Sequence, residues 1–136
     1  MLGVPLLEEA AGQVVQQIRD MGAGPVVLSL VVFETVAAPG HTPGHTVFAI
    51  QSANDALMVL SDTTQHPALF ARNPDWQPQF DIDGPAAVAT RKKLLDRAAA
   101  DRMLVTGYHF PFPACGHIVK HGAGYEHVPL LWNIAV

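Results

Sequence analysis

The sequence predicts a layered α/β or α+β domain in which one mixed sheet carries helices on one face. Two observations predict it. Two stretches repeat apolar residues at three- and four-residue spacing, and several short apolar runs bounded by Gly, Pro, Asn or Asp lie between and after them. With 136 residues the chain is also long enough to bury a core, so we expect a single domain over residues 1–136.

Two helices are predicted. Residues 8–21 repeat apolar side chains every three or four positions and are followed by Gly22 and Gly24, and glycine commonly follows a helix end. Residues 85–100 show the same spacing and begin with a proline, which favours the first turn of a helix. The second pattern is the clearer of the two.

Strands are predicted from apolar runs between turn-forming residues. They fall at residues 25–36, 46–51, 56–60 and 103–106, and residues 118–119 and 125–128 are predicted to form a closing hairpin around residues 122–124. Residues 63–84 are rich in proline and are predicted as an irregular excursion with one short helix near residues 67–71. Excursions of this length in compact domains often form lids or binding walls.

The composition limits the classes of partner. Apolar residues make up 49% of the chain and charged residues 15%, against about 25% charged in typical soluble domains. Such a balance predicts apolar surface that faces a partner, a second copy or a complementing chain. The net charge of −4 and the lack of a basic run argue against nucleic-acid binding.

The same composition bears on the compartment. The apolar run at residues 26–32 is too short to span a bilayer, and acids stand near the start where a secretion signal would carry basic residues. The single cysteine, Cys115, fits a reducing compartment. The chain is therefore predicted to be cytoplasmic, with no membrane partner.

Three strong metal donors follow apolar runs in separate parts of the sequence. His41 lies after the run that ends near Val36, Asp62 follows residues 56–60, and His109 follows residues 103–106. Imidazole nitrogen and carboxylate oxygen are the donors that zinc and related divalent ions prefer. Loops at strand ends hold such donors rigidly, so the three side chains are predicted to converge on a metal site.

These residues stand in a pattern that resembles a known family. Ala38-Pro-Gly-His-Thr-Pro-Gly-His45, then Ser61-Asp62, then Gly107-Tyr-His109 is similar to the metallo-β-lactamase fold superfamily, and closest to its methyl parathion hydrolase-like and lactonase-like members. The likeness is strong over residues 34–130 and weak over residues 1–33. It implies half of an αββα sandwich with a mixed sheet.

The resemblance also implies roles for individual residues. His41 matches a ligand of a first metal, His109 a ligand of a second, and Asp62 the carboxylate that bridges both and takes part in catalysis. His45 is implied to orient the loop. Ser61 stands where the family usually has glycine.

Further residues are candidates for supporting the metal ligands or lining a pocket. They are His45, His66, Trp76, Phe80, Phe110 and Phe112. Cys115 is either a packing residue or a metal donor. The remaining histidines, His117, His121 and His127, are expected at the surface or in the closing hairpin.

The chain also departs from the family. Members carry an upstream His-x-His-x-Asp-His motif that completes both metal sites, and this sequence contains none. The resemblance therefore implies the C-terminal half of a hydrolase, in a truncated or incomplete form, with zinc as the expected metal and one or two ions bound.

Three functional hypotheses remain open. The first is a metal-dependent hydrolase acting on a small ester, lactone or phosphotriester. The second is a non-catalytic half-domain that associates with itself or a partner. The third is a single-metal protein that uses His41, Asp62 and His109 together.

Overall fold

The computed structural model describes Gln16 and residues 31–131. The chain divides into two compact units, Met1–Val31 and Val32–Val136, and the second unit contains nearly all of the described residues. Apart from Gln16, which is helical, the helix predicted at residues 8–21 lies outside the described residues, as does the first part of the strand predicted at residues 25–36. The prediction of a single domain stays a prediction.

A sheet of six strands forms the centre of the fold, and its spatial order follows the sequence. The strands are β1 (Val31–Ala37), β2 (Thr46–Ser52), β3 (Asp55–Val59), β4 (Leu104–Thr106), β5 (Cys115–His121) and β6 (Gly124–Pro129). β2 pairs antiparallel with β3, β4 with β5, and β5 with β6, whereas β3 and β4 run parallel. The predicted mixed sheet of an α+β fold is confirmed.

The parallel pair of strands requires a long crossover, because the chain must return to the same end of the sheet before β4 begins. This crossover contains a short helix, α1 (Pro67–Phe70), and the main helix, α2 (Gly84–Ala100). Both predicted helices of this region are therefore present. The exits of β3 and β4 lie at the same edge of the sheet, which brings the loops that carry Asp62 and His109 together.

Helix α2 begins at a capped end. The side chain of Asp83 accepts a hydrogen bond of 3.0 Å from the backbone N–H of Ala86, and Pro85 occupies the first turn. Its buried stripe consists of Ala87, Arg91, Leu94, Leu95 and Ala98. An arginine in the middle of this stripe was not expected from the apolar pattern.

The core lies between α2 and one face of the sheet. Val47, Met58 and Val105 are fully buried, each on a different strand, and they belong to one cluster with Leu94 and Leu95 of the helix. Over residues 46–50 of β2 burial alternates, as expected for a strand with one face on a core. Among residues 31–131 and Gln16, no helix is long and apolar enough to cross a membrane.

The closing hairpin is longer than predicted. β5 and β6 pair from Gly116↔Pro129 to His121↔Gly124 around a tight turn at Gly122, which has φ +58°. The backbone N–H of Tyr125 donates to the carbonyl of Ala71 over 2.9 Å, which fixes β6 to the residue that follows α1. The hairpin thus closes the structure beside the loops of the candidate site.

Candidate metal centre

The loop that carries His41 is docked on the first turns of α2. Gly40 has φ +131°, and a Cβ atom there would lie 2.2 Å from the backbone nitrogen of Ala87. Glycine is therefore required for both the conformation and the close approach. The hydroxyl of Thr90 donates to the carbonyl of Pro39 over 2.7 Å, so the helix fixes the backbone just before His41.

His45 uses both of its ring nitrogens for backbone contacts. Its Nδ1 lies 3.1 Å from the carbonyl oxygen of Ala38, which can only accept, so Nδ1 carries the hydrogen. Its Nε2 then accepts from the backbone N–H of Asp62 over 3.3 Å. His45 therefore joins the backbone of Ala38 to that of Asp62, and the loop-orienting role implied by the resemblance stays a prediction.

The loops after β3 and β4 are tied to each other. The backbone N–H of Leu60 donates to the carbonyl of Thr106 over 2.7 Å, and that of Tyr108 donates to the carbonyl of Ser61 over 3.3 Å. Ser61 is buried and has φ +51°, in the left-handed region. Glycine adopts that region without steric cost, which gives a physical reason for the glycine usual in the family.

The structure brings the three predicted donors together around the carboxylate of Asp62. Its Oδ1 lies 2.9 Å from Nε2 of His109, and its Oδ2 lies 4.0 Å from Nε2 of His41. The side chains of His41 and Asp62 are 22% and 23% exposed and that of His109 is 55% exposed. Each carboxylate oxygen thus faces a different histidine at an accessible edge of the sheet.

The donors agree in kind with a divalent metal, since zinc takes imidazole nitrogen and carboxylate oxygen. Their spacing, 2.9 Å and 4.0 Å, is that of ion-pair contacts. Within residues 31–131 and Gln16, no group of three or more His, Cys, Asp or Glu side chains is arranged to hold an ion on its own. The trio has the composition of part of a metal site, and the described residues do not complete it.

Asp81 is a residue of this centre that sequence reasoning missed. Its side chain is 1% exposed, and its Oδ1 lies 3.0 Å from Nδ1 of His41. Backbone pairing sets this contact, because the N–H of Ile82 donates to the carbonyl of His41 over 3.2 Å and that of Asp83 to Gly40 over 2.9 Å. In the sequence, the only indication of this contact was an acidic residue within a stretch that has no periodic pattern.

Arg91 supports Asp81 from the opposite side. Its guanidinium is 1% exposed, and its Nη2 lies 3.5 Å from Oδ2 of Asp81. Its other donors reach the carbonyls of Thr63 at 2.8 Å, Pro74 at 2.9 Å and Trp76 at 2.7 Å. Burial lowers the pKa of Arg91, and the charge of Asp81 opposes that shift. The buried guanidinium of Arg91 therefore fixes the irregular excursion next to the loop that carries His41.

No family model and no curated protein matches the chain. Solved structures do. The chain is similar to AidC, a dizinc quorum-quenching lactonase in complex with a product, at 35% identity and a TM-score of 0.71, over 74% of this chain and 34% of AidC. It is similar in fold to AbOPH, a hydrolase in the beta lactamase superfamily, at 22% identity and a TM-score of 0.71, over 89% of this chain and 43% of that one.

A third similar structure is a probable metal-dependent hydrolase from Staphylococcus aureus, at 18% identity and a TM-score of 0.62, over 83% of this chain and 39% of that one. These three structures agree in fold with the described sheet and crossover. The chain has part of the metallo-β-lactamase fold. It spans 34–43% of the length of these three structures.

Most of the predicted pocket aromatics of this metallo-β-lactamase-fold segment are exposed, namely Trp76, Phe80 and Phe112. Phe110 is the exception, because it is 7% exposed and belongs to the core cluster. Its ring packs edge to face on His127, with the ring centroids 4.9 Å apart, and a Cβ atom on Gly107 would meet the Phe110 ring at 2.6 Å. Its prediction as a pocket wall is therefore replaced by a packing role.

The other histidines lie apart from the trio in their contacts. His66 is exposed and directly precedes α1. His117 donates through Nδ1 to the carbonyl of Met103 over 3.2 Å, and His121 pairs with Glu126 over 3.1 Å. Cys115 is a half-buried free thiol in β5, in register with Thr106.

Proposed function

We propose that the chain supplies half of the site of a metal-dependent hydrolase of the metallo-β-lactamase superfamily, with a small ester, lactone or phosphotriester as substrate. The observation that carries the proposal is the arrangement of Asp62, whose two oxygens face the Nε2 atoms of two different histidines. A carboxylate with this arrangement is suited to bridge two ions, with His41 on one side and His109 on the other. Asp62 is accordingly the central residue of the site.

The expected ion is zinc. The donors suit zinc, and AidC, which shares 35% identity with the matched part of this chain, is a dizinc lactonase. A divalent ion supplies Lewis acidity to the oxygen of the bond to be cleaved and promotes attack by water. The chain's own residues orient the ligands: His45 holds the backbone of Asp62, and Asp81 holds His41.

In this proposal each of two ions has only two donors among the described residues. We propose that the remaining donors come from outside residues 31–131 or from a second copy of the chain, so that the purified 136-residue chain can form the site. Phe33 and Phe48, on the neighbouring strands β1 and β2, are exposed aromatic side chains that such an association could cover. The apolar share of 49% is in keeping with it.

The substrate wall in this proposal is apolar. Trp76, Phe80 and Phe112 are large exposed aromatic side chains in loops that flank the ligand-bearing segments. Because pocket shape, rather than the metal ligands, decides which bond is cleaved, the substrate class follows from these loops. A lactone is the first substrate to test, since the neighbour with 35% identity is a lactonase.

The test is metal content together with hydrolysis. The 136-residue chain is purified in zinc-containing buffer, its zinc is counted by mass spectrometry, and turnover of an acyl homoserine lactone, an aryl ester and a phosphotriester is measured. We expect bound zinc in the wild type, and loss of zinc and turnover in Asp62→Asn. His121→Gln, which changes an exposed histidine of the closing hairpin, is the matched control and should retain both.

An absence of bound zinc in the wild type would overturn the proposal. The number of ions per chain distinguishes the two-ion version of the proposal from the one-ion version. Two ions support the bridging role of Asp62, whereas one ion supports a single site shared by His41, Asp62 and His109, whose donors surround one carboxylate.

A further inference from the structure

We propose that Asp81, held by Arg91, is a positioning residue that fixes the tautomer of His41 and so leaves the Nε2 atom of His41 free to bind a metal. The tautomer of His41 follows from the contacts of Asp81 in the structure and does not depend on the proposed function. Its consequence for metal binding rests on the function proposed above.

The tautomer follows from the hydrogen-bond inventory. A neutral imidazole has one N–H and one acceptor nitrogen, and a carboxylate can only accept. Because Oδ1 of Asp81 lies 3.0 Å from Nδ1 of His41, the hydrogen belongs on Nδ1. The lone pair is then on Nε2, which faces the Asp62 carboxylate at 4.0 Å. A metal ligand needs its coordinating nitrogen unprotonated, and a carboxylate on the other ring nitrogen is the usual way of securing it.

The position of Asp81 is set by the fold rather than by local flexibility. Its carboxylate is almost fully buried, with the Arg91 guanidinium on one side and the His41 ring on the other. The backbone that follows Asp81 is fixed by the hydrogen bonds from Ile82 to His41 and from Asp83 to Gly40. A carboxylate buried between a hydrogen-bonded imidazole and an ion-paired guanidinium has little freedom to turn away from either.

His109 provides a contrast within the same centre. Its Nε2 atom lies 2.9 Å from Oδ1 of Asp62 in an ion-pair contact, and no described residue accepts a hydrogen bond from its Nδ1 atom. The tautomer of His109 is therefore not fixed from the far side of its ring, whereas that of His41 is. His41 is therefore the pre-set ligand of the pair.

A single isosteric substitution tests this reasoning. In Asp81→Asn the introduced amide has one acceptor oxygen and one donor group. Arg91 can only donate, so it favours the amide oxygen on its own side and leaves the NH₂ group facing Nδ1 of His41. That nitrogen must then accept, and the hydrogen moves to Nε2. Asp83→Asn makes the same chemical change two residues away at an exposed helix cap, where asparagine caps equally well.

The experiment is nitrogen-15 NMR of the histidine rings of the 136-residue chain, stripped of metal with a chelator at about pH 8, where free histidine is neutral. The His41 signals are assigned by their loss in His41→Gln. We expect the Nδ1–H tautomer in the wild type and in Asp83→Asn, and the Nε2–H tautomer in Asp81→Asn. A wild-type His41 that carries its hydrogen on Nε2, or averages between tautomers, overturns the proposal. The wild-type result decides it even if Asp81→Asn fails to fold.

Zinc affinity, measured by competition with a chelating dye, is the second readout. We expect Asp81→Asn to bind zinc about 10–100-fold more weakly than the wild type, with Asp83→Asn within about threefold. Equal affinity of Asp81→Asn and wild type would overturn the positioning role. A wild type that binds no zinc but shows the Nδ1–H tautomer defeats the proposed function and leaves the tautomer assignment standing, so the two failures are distinguishable.

Discussion

The backbone N–H of Asp62 donates to Nε2 of His45 over 3.3 Å, and Nδ1 of His45 donates to the carbonyl of Ala38 over 3.1 Å. One imidazole therefore joins the loop after β1 to the loop after β3. The relative position of the two proposed ligands, His41 and Asp62, depends on this bridge. The backbone of each loop is fixed by the His45 side chain. Because both ring nitrogens of His45 make these contacts, neither is left to bind a metal.

His45→Leu should weaken the fold, because it removes this bridge while keeping a side chain of similar bulk. A buried carbonyl at Ala38 and the N–H of Asp62 lose their partner, which costs about 1–3 kcal/mol each where water cannot replace it. The free energy of unfolding from urea titration checks this. His66→Leu, at an exposed position, should change it by less than about 0.5 kcal/mol. Equal effects of the two substitutions would contradict the bridging role.

Ser61→Gly should stabilise the chain slightly. Serine at φ +51° carries a steric cost of about 1–2 kcal/mol, against which glycine adds about 0.5–1 kcal/mol of entropy in the unfolded chain. The net expectation is a gain of up to about 1 kcal/mol.

Ser61→Val provides the opposite test at the same position. A β-branched residue tolerates positive φ poorly, and we expect a loss of about 1–3 kcal/mol. Thermal unfolding of both variants measures the difference. A glycine variant that is clearly less stable than the wild type would show that the serine side chain contributes more than its backbone strain costs.

Arg91→Met should destabilise the protein strongly. The substitution keeps a long apolar side chain in the buried stripe of α2 but removes the partner of the buried Asp81 carboxylate and the donors to three backbone carbonyls. Breaking a buried ion pair from one side typically costs about 3–5 kcal/mol. Lys93→Met makes a comparable change at an exposed position of the same helix and should be nearly neutral. The urea midpoints of the two variants show whether the loss of stability comes from the buried position of Arg91 or from the loss of one positive charge.

Stability should fall as the solution is acidified through the titration of His127. Burial lowers the pKa of His127 below its ordinary value of 6.5, so below that pH the unfolded chain takes up a proton more readily than the folded chain. Stability from this group is present above about pH 6.5 and is lost as the pH falls. His127→Phe keeps an aromatic ring against Phe110 and removes the titration.

The comparison is the free energy of unfolding at about pH 7.5 and about pH 5.5, on either side of the ordinary histidine pKa. His127→Phe should lose less stability between these values than the wild type, and His121→Phe, at an exposed position, should lose about as much as the wild type. If the His127→Phe variant keeps the full pH dependence, other groups account for it.

Much of the centre follows from the sequence because its donors sit where strands end. Asp62 and His109 follow β3 and β4, and parallel neighbours direct their exits to one edge of the sheet. His41 joins them through the loop after β1. The spacing of apolar residues and the positions of turn-forming residues are enough to predict such strand ends. The apolar spacing also predicted the first residue of α2 to within one position.

The supporting residues could not be predicted in the same way. Asp81 meets His41 across 40 residues of chain, through an excursion whose path has no periodic signal. Arg91 falls on the buried stripe of α2, where a charged residue is rarely found unless a partner satisfies it, and that partner is visible only in three dimensions. Phe110 was assigned to a pocket wall and lies in the core, because residue type alone does not distinguish a core aromatic residue from one that lines a pocket.

Arg91 holds residues 63–76 by their carbonyl oxygens at Thr63, Pro74 and Trp76, and every residue type carries a backbone carbonyl. The path of this excursion is therefore largely independent of which side chains it bears. Exposed positions along it, Trp76 among them, are free to drift through evolution or to be exchanged in a library. Such changes would alter what the surface recognises while Asp81 stays beside His41, so new specificity could arise without rebuilding the centre.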